Sequence, residues 1–371
     1  MTADALPPND YAFLDSVELA CRIAERKRQL GSRLCVLGHH YQRDEVLEHA
    51  DFVGDSLKLS QTAAQQEEAE YIVFCGVHFM AESAAILARS GQKVILPNPR
   101  AGCPMAAMAR ASDVRAAIGE IGELINARVL PVTYVNSDAS VKGVTGDLGG
   151  ACCTSANAAD VFRWALDPSG GGAAKILMIP DEHLGRNTAV ALGYGEEDCA
   201  VYDPALPNGG LAKNDVERAA FVLWKGHCYV HQRFTTEHVR AARAADPAVV
   251  VMVHPECPRE VVAAADRAGS TEQIIRAVGE SRPGTCWAIG TESHLVGRLA
   301  KQYRDRRIAC LSSARPVCVQ MGQIDRPHLL WVLDSLAAGR AVNVLTVSSH
   351  VVAGASLALR RMMEHVALRP D

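Results

Sequence analysis

The chain is predicted to be an α/β protein of three similar units with parallel sheets, in a three-fold arrangement with a shared centre. Three observations predict this. β-Branched runs alternate with alanine-rich stretches throughout, as in residues 71–74 followed by 81–90 and residues 287–290 followed by 295–303. Strand and helix in alternation imply βαβ units and parallel sheets. One series of short motifs is written three times, and each copy closes on a single cysteine, which points to a shared centre.

Residues 1–33 precede the repeats and hold a predicted helix over Ser16–Leu30, opened by Asp15 or Ser16. The first repeat, 34–125, runs from Leu34-Cys35-Val36-Leu37 into His39-His40-Tyr41, passes Asp55-Ser56 and Val73-Phe74-Cys75-Gly76-Val77-His78, and closes at Cys103. The third, 246–371, includes a C-terminal helix. It runs from Val250-Val251-Met252-Val253 into His254-Pro255-Glu256, passes Ser270-Thr271 and Thr291-Glu292-Ser293-His294, and closes at Cys318. His39 to Cys103 spans 103 − 39 = 64 residues and His254 to Cys318 spans 318 − 254 = 64. The middle repeat, 126–245, is looser, with Tyr134-Val135-Asn136, Thr154-Ser155, Asp181-Glu182-His183 and His227-Cys228. From His183 to Cys228 is 228 − 183 = 45 residues, against 103 − 78 = 25 from His78 to Cys103. The extra residues fall at 193–216, where Gly, Pro, Asn and Asp are frequent, so a surface loop is predicted there.

A formal charge of −4 and a pI near 6.4 give no electrostatic footprint for nucleic acid or anionic membrane. No apolar run approaches the roughly 20 residues of a membrane span, and no charged-then-apolar leader is present, so a cytoplasmic protein is expected. Twelve cysteines without a CxxC pair fit a reducing compartment. They exclude a zinc ribbon or a ferredoxin-type ligand run. Most of them, Cys21, Cys35, Cys75, Cys152 and Cys257 included, are expected to pack as small apolar groups.

In open α/β sheets ligands bind at the C-terminal strand edge, and the polar motif residues sit there. Period-two geometry pairs His39 with Tyr41, Tyr134 with Asn136, and His254 with Glu256. Ser56, Ser155 and Thr271 each open a helix-forming stretch, where a hydroxyl caps the helix or binds an anion at its N-terminus. Three thiolates, from Cys103, Cys228 and Cys318, suit an iron–sulfur cluster with one iron left open. Such an iron acts as a Lewis acid. Zinc held by the three cysteines and His231 is the competing metal. His78, His183 and His294, beside acidic neighbours, are read as supporting residues.

The runs His39-His40-Tyr41-Gln42, Ala50-Asp51-Phe52-Val53-Gly54-Asp55-Ser56, Phe74-Cys75-Gly76-Val77-His78-Phe79-Met80-Ala81-Glu82, Ala101-Gly102-Cys103-Pro104-Met105, Val132-Thr133-Tyr134-Val135-Asn136, Cys153-Thr154-Ser155-Ala156-Asn157, Trp224-Lys225-Gly226-His227-Cys228 and His254-Pro255-Glu256-Cys257 resemble the quinolinate synthase family. The likeness covers residues 34–346, in the family's order. It implies three homologous α/β/α domains with small parallel sheets around a pseudo-three-fold axis, a 4Fe-4S cluster held by Cys103, Cys228 and Cys318, and condensation of iminoaspartate with dihydroxyacetone phosphate to quinolinate on the path to NAD. It also implies substrate contacts from His39, Tyr41, Ser56, Tyr134, Asn136, Ser155, His231, His254, Glu256, Ser270 and Thr271. Functional coupling to an aspartate-oxidising enzyme, which supplies the imine, is expected.

Among these, Glu256, Tyr41 and His254 are the candidate acid–base groups. The third cysteine departs from the family's Cys-Pro-x-Met pattern, standing in Cys318-Val319-Gln320-Met321. Ser312 and Arg315 replace the cysteines that some members carry nearby, so no disulfide switch is expected there. Another cluster-dependent hydro-lyase, or a redox sensor, is the alternative. A sensor needs no ring of anion-binding side chains.

Overall fold

The structure, a computed structural model, describes residues 6–364. Its β-branched runs form three sheets. The first takes β1 (Leu34–His39), β2 (Phe52–Gly54), β3 (Tyr71–Cys75) and β4 (Lys93–Ile95) in the order β2-β1-β3-β4. The middle sheet takes β5 (Val129–Tyr134), β6 (Ala151–Cys153), β7 (Lys175–Ile179), β8 (Cys199–Tyr202) and β9 (Phe221–Trp224) in the order β6-β5-β7-β9-β8. The third takes β10 (Val250–Val253), β11 (Arg267–Ala268), β12 (Cys286–Gly290) and β13 (Arg307–Cys310) in the order β11-β10-β12-β13. All the pairings between these strands are parallel.

The first and third sheets repeat in detail at an offset of 254 − 39 = 215 residues. Val36 N donates to the Asp51 carboxylate at 2.7 Å, and Val251 N donates to that of Asp266 at 2.7 Å. The middle sheet differs by one strand, and here the sequence expectation is corrected. Residues 193–216 are not a loop throughout, because Cys-Ala-Val-Tyr forms β8 on the sheet edge. Tyr202 anchors it, stacked on Trp224 at 5.5 Å and donating its hydroxyl to Glu120 at 2.8 Å. Four residues of strand are too few to stand out among the surrounding turn formers.

Helix Ser16–Leu30 is capped by Asp15, whose carboxylate accepts from the amides of Val17 and Glu18. It buries Leu19, Ile23 and Leu30. Cys21 lies on the opposite face and is exposed, contrary to the packing expected of it. Helix capping also differs from expectation. Asp55, not Ser56, caps helix Ser56–Gln65, and Ser270, not Thr271, caps helix Thr271–Glu280. Ser155 precedes helix Ala158–Leu166, whose N-cap is Asn157.

The chain divides into two compact units. One comprises residues up to Cys103 together with Val317–Val347, and so holds the first sheet and helix Arg326–Ala337. Asp334 of that helix accepts from Tyr11, Arg22 and Arg26 at 2.6–2.9 Å. The other comprises Pro104–Pro316 and the chain from Ser348, and holds the middle and third sheets.

In the second unit, helix Ser349–Glu364 lies against helix Ala139–Asp147. A methyl group on Gly146 would stand 1.8 Å from the Gly354 carbonyl oxygen. Arg361 donates to the carbonyl of Gly150 at 2.6 Å and Asn157 to that of Met362 at 3.0 Å. Gly146→Ala is therefore expected to destabilise the protein by about 2 kcal/mol, as overpacking does. An unchanged urea midpoint would show that the two helices do not pack this closely.

Candidate active site

Each candidate cysteine sits at the same structural station. The first amide of the helix after the sheet's third strand donates to the carbonyl two residues before it: His78 N to Ala101 O at 2.8 Å, Glu182 N to Gly226 O at 3.0 Å, and Ser293 N to Pro316 O at 3.0 Å. Three residues after each cysteine a 3₁₀ turn begins, at Ala106, His231 and Met321. Eight residues after each, an α-helix begins, at Ala111, Thr236 and Arg326. Cys103, Cys228 and Cys318 are all partly exposed.

In the second unit the 3₁₀ turn after Cys228 brings His231 into a buried polar group. His231 Nδ1 lies 2.6 Å from a Glu256 carboxylate oxygen, and Nε2 lies 3.0 Å from the Thr291 hydroxyl. A carboxylate only accepts, so Nδ1 carries the proton, and in the neutral ring Nε2 accepts from Thr291. The His254 ring stacks on His231 at 4.4 Å. Burial opposes ionisation of Glu256, but the His231 and His254 rings and hydrogen bonds from His231 and Tyr134 hold its carboxyl down at about 2. Burial, then the His231 ring, lowers His254 to about 3 against the pull of Glu256. At neutral pH Glu256 is therefore a buried carboxylate and His254 a neutral ring. Asp181 is fully buried, and burial followed by the charge of Glu256 pushes its carboxyl well up. One of its oxygens caps helix Glu182–Ala191 through Leu184 N at 2.8 Å.

Tyr134, His231, His254 and Glu256 are thus neighbours, and strand geometry alone does not bring them together. The chain turns after the strand: Glu256 N donates to His254 Nδ1 at 3.3 Å and Cys257 N to His254 O at 3.0 Å. The first unit contains the same turn. Tyr41 N donates to His39 Nδ1 at 3.1 Å, Gln42 N to His39 O at 2.9 Å, and the His39 and Tyr41 rings meet edge to face at 4.8 Å.

Within the first unit three side chains also grip the turn after Cys318. Gln42 donates to Met321 O at 3.0 Å, Arg43 to Gly322 O, and Asn98 to Gln323 O at 2.8 Å. Three consecutive carbonyls are thereby held, although Val319 stands where a proline is expected. Ser56 is partly buried, at the first position of its helix.

In the second unit Ser155 and Asn136 are partly buried, and the Asn136 side-chain oxygen has no partner among the described residues. Thr271 and Ser270 are buried, Ser270 being spent in part on its cap. His183 meets Gln232 at 3.3 Å, and His294 meets Glu292 at 2.7 Å. In the first unit His78 meets Glu82 at 3.7 Å. Burial pushes the Cys35, Cys75 and Cys152 thiols up to about 12. Sequence reasoning missed Thr291, whose signal was its place at a strand end.

The Sγ of Cys228, a nitrogen of His231 and an oxygen of Glu256 lie within 4.8 Å of one another, close enough to share a metal ion. His231, however, has both nitrogens engaged, and binds metal only by giving one partner up. A zinc ion with His231 as fourth ligand would break its bond to Glu256 or to Thr291.

A buried carboxylate against an imidazole, close to a cysteine with two structural counterparts, can exchange protons and fits the site of an enzyme. Comparison with known proteins gives the particular class. The chain belongs to the Quinolinate synthetase A protein family, matching it over residues 21–364, and so is an enzyme of NAD biosynthesis. It is 49% identical to quinolinate synthase of Streptomyces coelicolor over 360 residues, covering 96% of this chain and 90% of that protein. It is 48% identical to that of Anoxybacillus flavithermus over 356 residues, 96% of each. With that of Acidobacterium capsulatum it shares 48% over 365 residues, 97% of this chain and 96% of the relative. No described helix is long and apolar enough to cross a membrane.

The pKa shifts carry a stability prediction. The native His254 ring protonates only near pH 3, against 6.5 ordinarily, so between these values the unfolded chain binds more protons and stability falls as pH falls. Glu256, at about 2 against an ordinary 4.5, adds stability that is lost as pH drops from 4.5 towards 2. The melting temperature should decline from pH 6.5 downward, and His254→Gln should flatten the decline between pH 6.5 and 4.5. An equally steep decline in that variant would mean the ring is not buried neutral.

Proposed function

We propose that the protein condenses iminoaspartate with dihydroxyacetone phosphate to give quinolinate, phosphate and two waters, with a 4Fe-4S cluster held by Cys103, Cys228 and Cys318. The observation that carries this is the shared station of the three cysteines, with the same hydrogen bond before each and the same turn after it. Three thiolates leave one iron of such a cluster without a protein ligand, and when bound it supplies a Lewis acid for hydroxyl departure. The repeats 34–125, 126–245 and 246–371 are then three copies of one cysteine-presenting unit.

The chain's own residues handle anions and protons. Iminoaspartate brings two carboxylates and the triose a phosphate. Ser56, Ser155, Ser270 and Thr271 at helix starts, with His39, supply donors for them. Asn136 and Tyr41 complete the substrate contacts. Glu256 takes the proton from the imine's carbon, flanked by Tyr134 and His231, which stabilise its charge. His231 lies between Glu256 and Thr291, so it orients the carboxylate and offers a short path for the proton. His254, neutral and stacked on His231, keeps the carboxylate's surroundings free of water. Imines hydrolyse in water, so an aspartate-oxidising enzyme in the same compartment, the cytoplasm, is the fitting source.

The reading is tested by anaerobic reconstitution with iron and sulfide, followed by assay for quinolinate. Full activity of a colourless, metal-free protein, or a product without a pyridine ring, would refute it. Alanine at Cys103, Cys228 or Cys318 should abolish a stable cluster, whereas Cys152→Ala should not. Iron counts and visible absorption decide this, and a normal cluster in the Cys318 variant would remove that residue from the set. Glu256→Gln should keep the cluster but slow turnover by about 10² to 10⁴-fold, the usual loss of a general acid or base. Turnover within about threefold of the parent would leave Glu256 an orienting group only.

A further inference from the structure

Helix Glu182–Ala191 of the middle repeat sends one side chain across to the turn that carries Glu256. Asn187, 6% exposed, donates from its single amide nitrogen to Pro255 O at 2.8 Å and to Cys257 O at 2.9 Å. These are the two peptide carbonyls that flank Glu256. The amide oxygen of Asn187 is buried with no partner among the described residues. An orphaned acceptor costs on the order of 1–3 kcal/mol, so an amide at this position is explained by its two donors.

We propose that Asn187 is a positioning residue for the reaction, fixing the backbone on both sides of Glu256 so that its carboxylate stays aligned with His231. The inference rests on the reading of Glu256 as the acid–base group. The turn is already closed on one side by the bonds of Glu256 N and Cys257 N to His254, and Asn187 closes it on the other. With both carbonyls held, the Glu256 side chain has only its own torsions left, and its 2.6 Å contact with His231 limits those. The corresponding residue of the first repeat, five positions into its helix, is Ser83. It bonds to Phe79 O of its own helix at 2.8 Å. The reaching amide stands where the strand end beyond it carries a carboxylate.

The test uses the reconstituted holoenzyme. Asn187→Ala should retain the parent's iron content and a KM within about threefold, but lose about tenfold to hundredfold in kcat, the scale of a misplaced catalytic group. Asn187→Asp, which sets a carboxylate against two carbonyl oxygens, should lose more. A role exercised through Glu256 predicts non-additivity: in the Glu256→Gln background, Asn187→Ala should cost less than about twofold. Unchanged kcat in the single Asn187 variant, or the same loss in both backgrounds, would overturn the proposal. Failure of the acid–base reading would show separately, as full turnover of Glu256→Gln alone. Should the alanine variant fail to hold iron, Asn187→Ser, which keeps one donor, carries the same cycle.

Discussion

One backbone hydrogen bond, made three times, is what the rest of the structure depends on. It runs from the first amide of the helix after each third strand to the carbonyl two residues before a cysteine. A helix N-terminus has amides to spare, and here the spare amide fastens the incoming cysteine segment to the sheet's C-terminal edge. In the middle copy the acceptor is Gly226, and a side chain there would meet Pro180 O at 2.2 Å. The glycine is required by that close approach, so the bond sets the sequence as much as the sequence sets the bond.

On this repeated frame the chemistry is unequal. Three residues after the cysteine, the copies place Ala106, His231 and Met321, of which only the histidine can exchange protons. At the first strand's end they place His39 with Tyr41, Tyr134 with Asn136, and His254 with Glu256. The buried dyad takes its imidazole from the middle copy and its carboxylate from the third, with Thr291 behind the imidazole and Tyr134 beside the carboxylate. The repeated frame supplies the local placement, and single differences within it supply the chemistry.

Much of this was legible in the order of residues. β-Branched runs located the strands, because parallel strands covered on both faces read as apolar runs. Equal spacing from histidine to cysteine marked the first and third copies as equivalent, and both adopt the same sheet order. The cap positions were misread by one residue at Ser56 and Thr271, because two capping types stand side by side in Asp55-Ser56 and Ser270-Thr271 and local chemistry does not choose between them. Strand β8 was hidden by the turn formers around it. Thr291 had a signal in its place at a strand end, but its partner His231 lies 60 residues away, and Asn187, with partners 68 and 70 residues away, had none, so only tertiary packing reveals it.

The buried thiols have a bearing on which sulfurs of the protein are open to reaction. At neutral pH, groups held near 12 such as Cys35, Cys75 and Cys152 stay protonated, and Cys153 and Cys257 are pushed well up. Iron and oxidants both react with the thiolate, not the thiol. With Cys199 and Cys286, also raised by burial, desolvation disfavours the thiolate at seven of the twelve sulfurs. The reactivity of the sulfurs is thus sorted by the dielectric of their surroundings before any geometry comes into play.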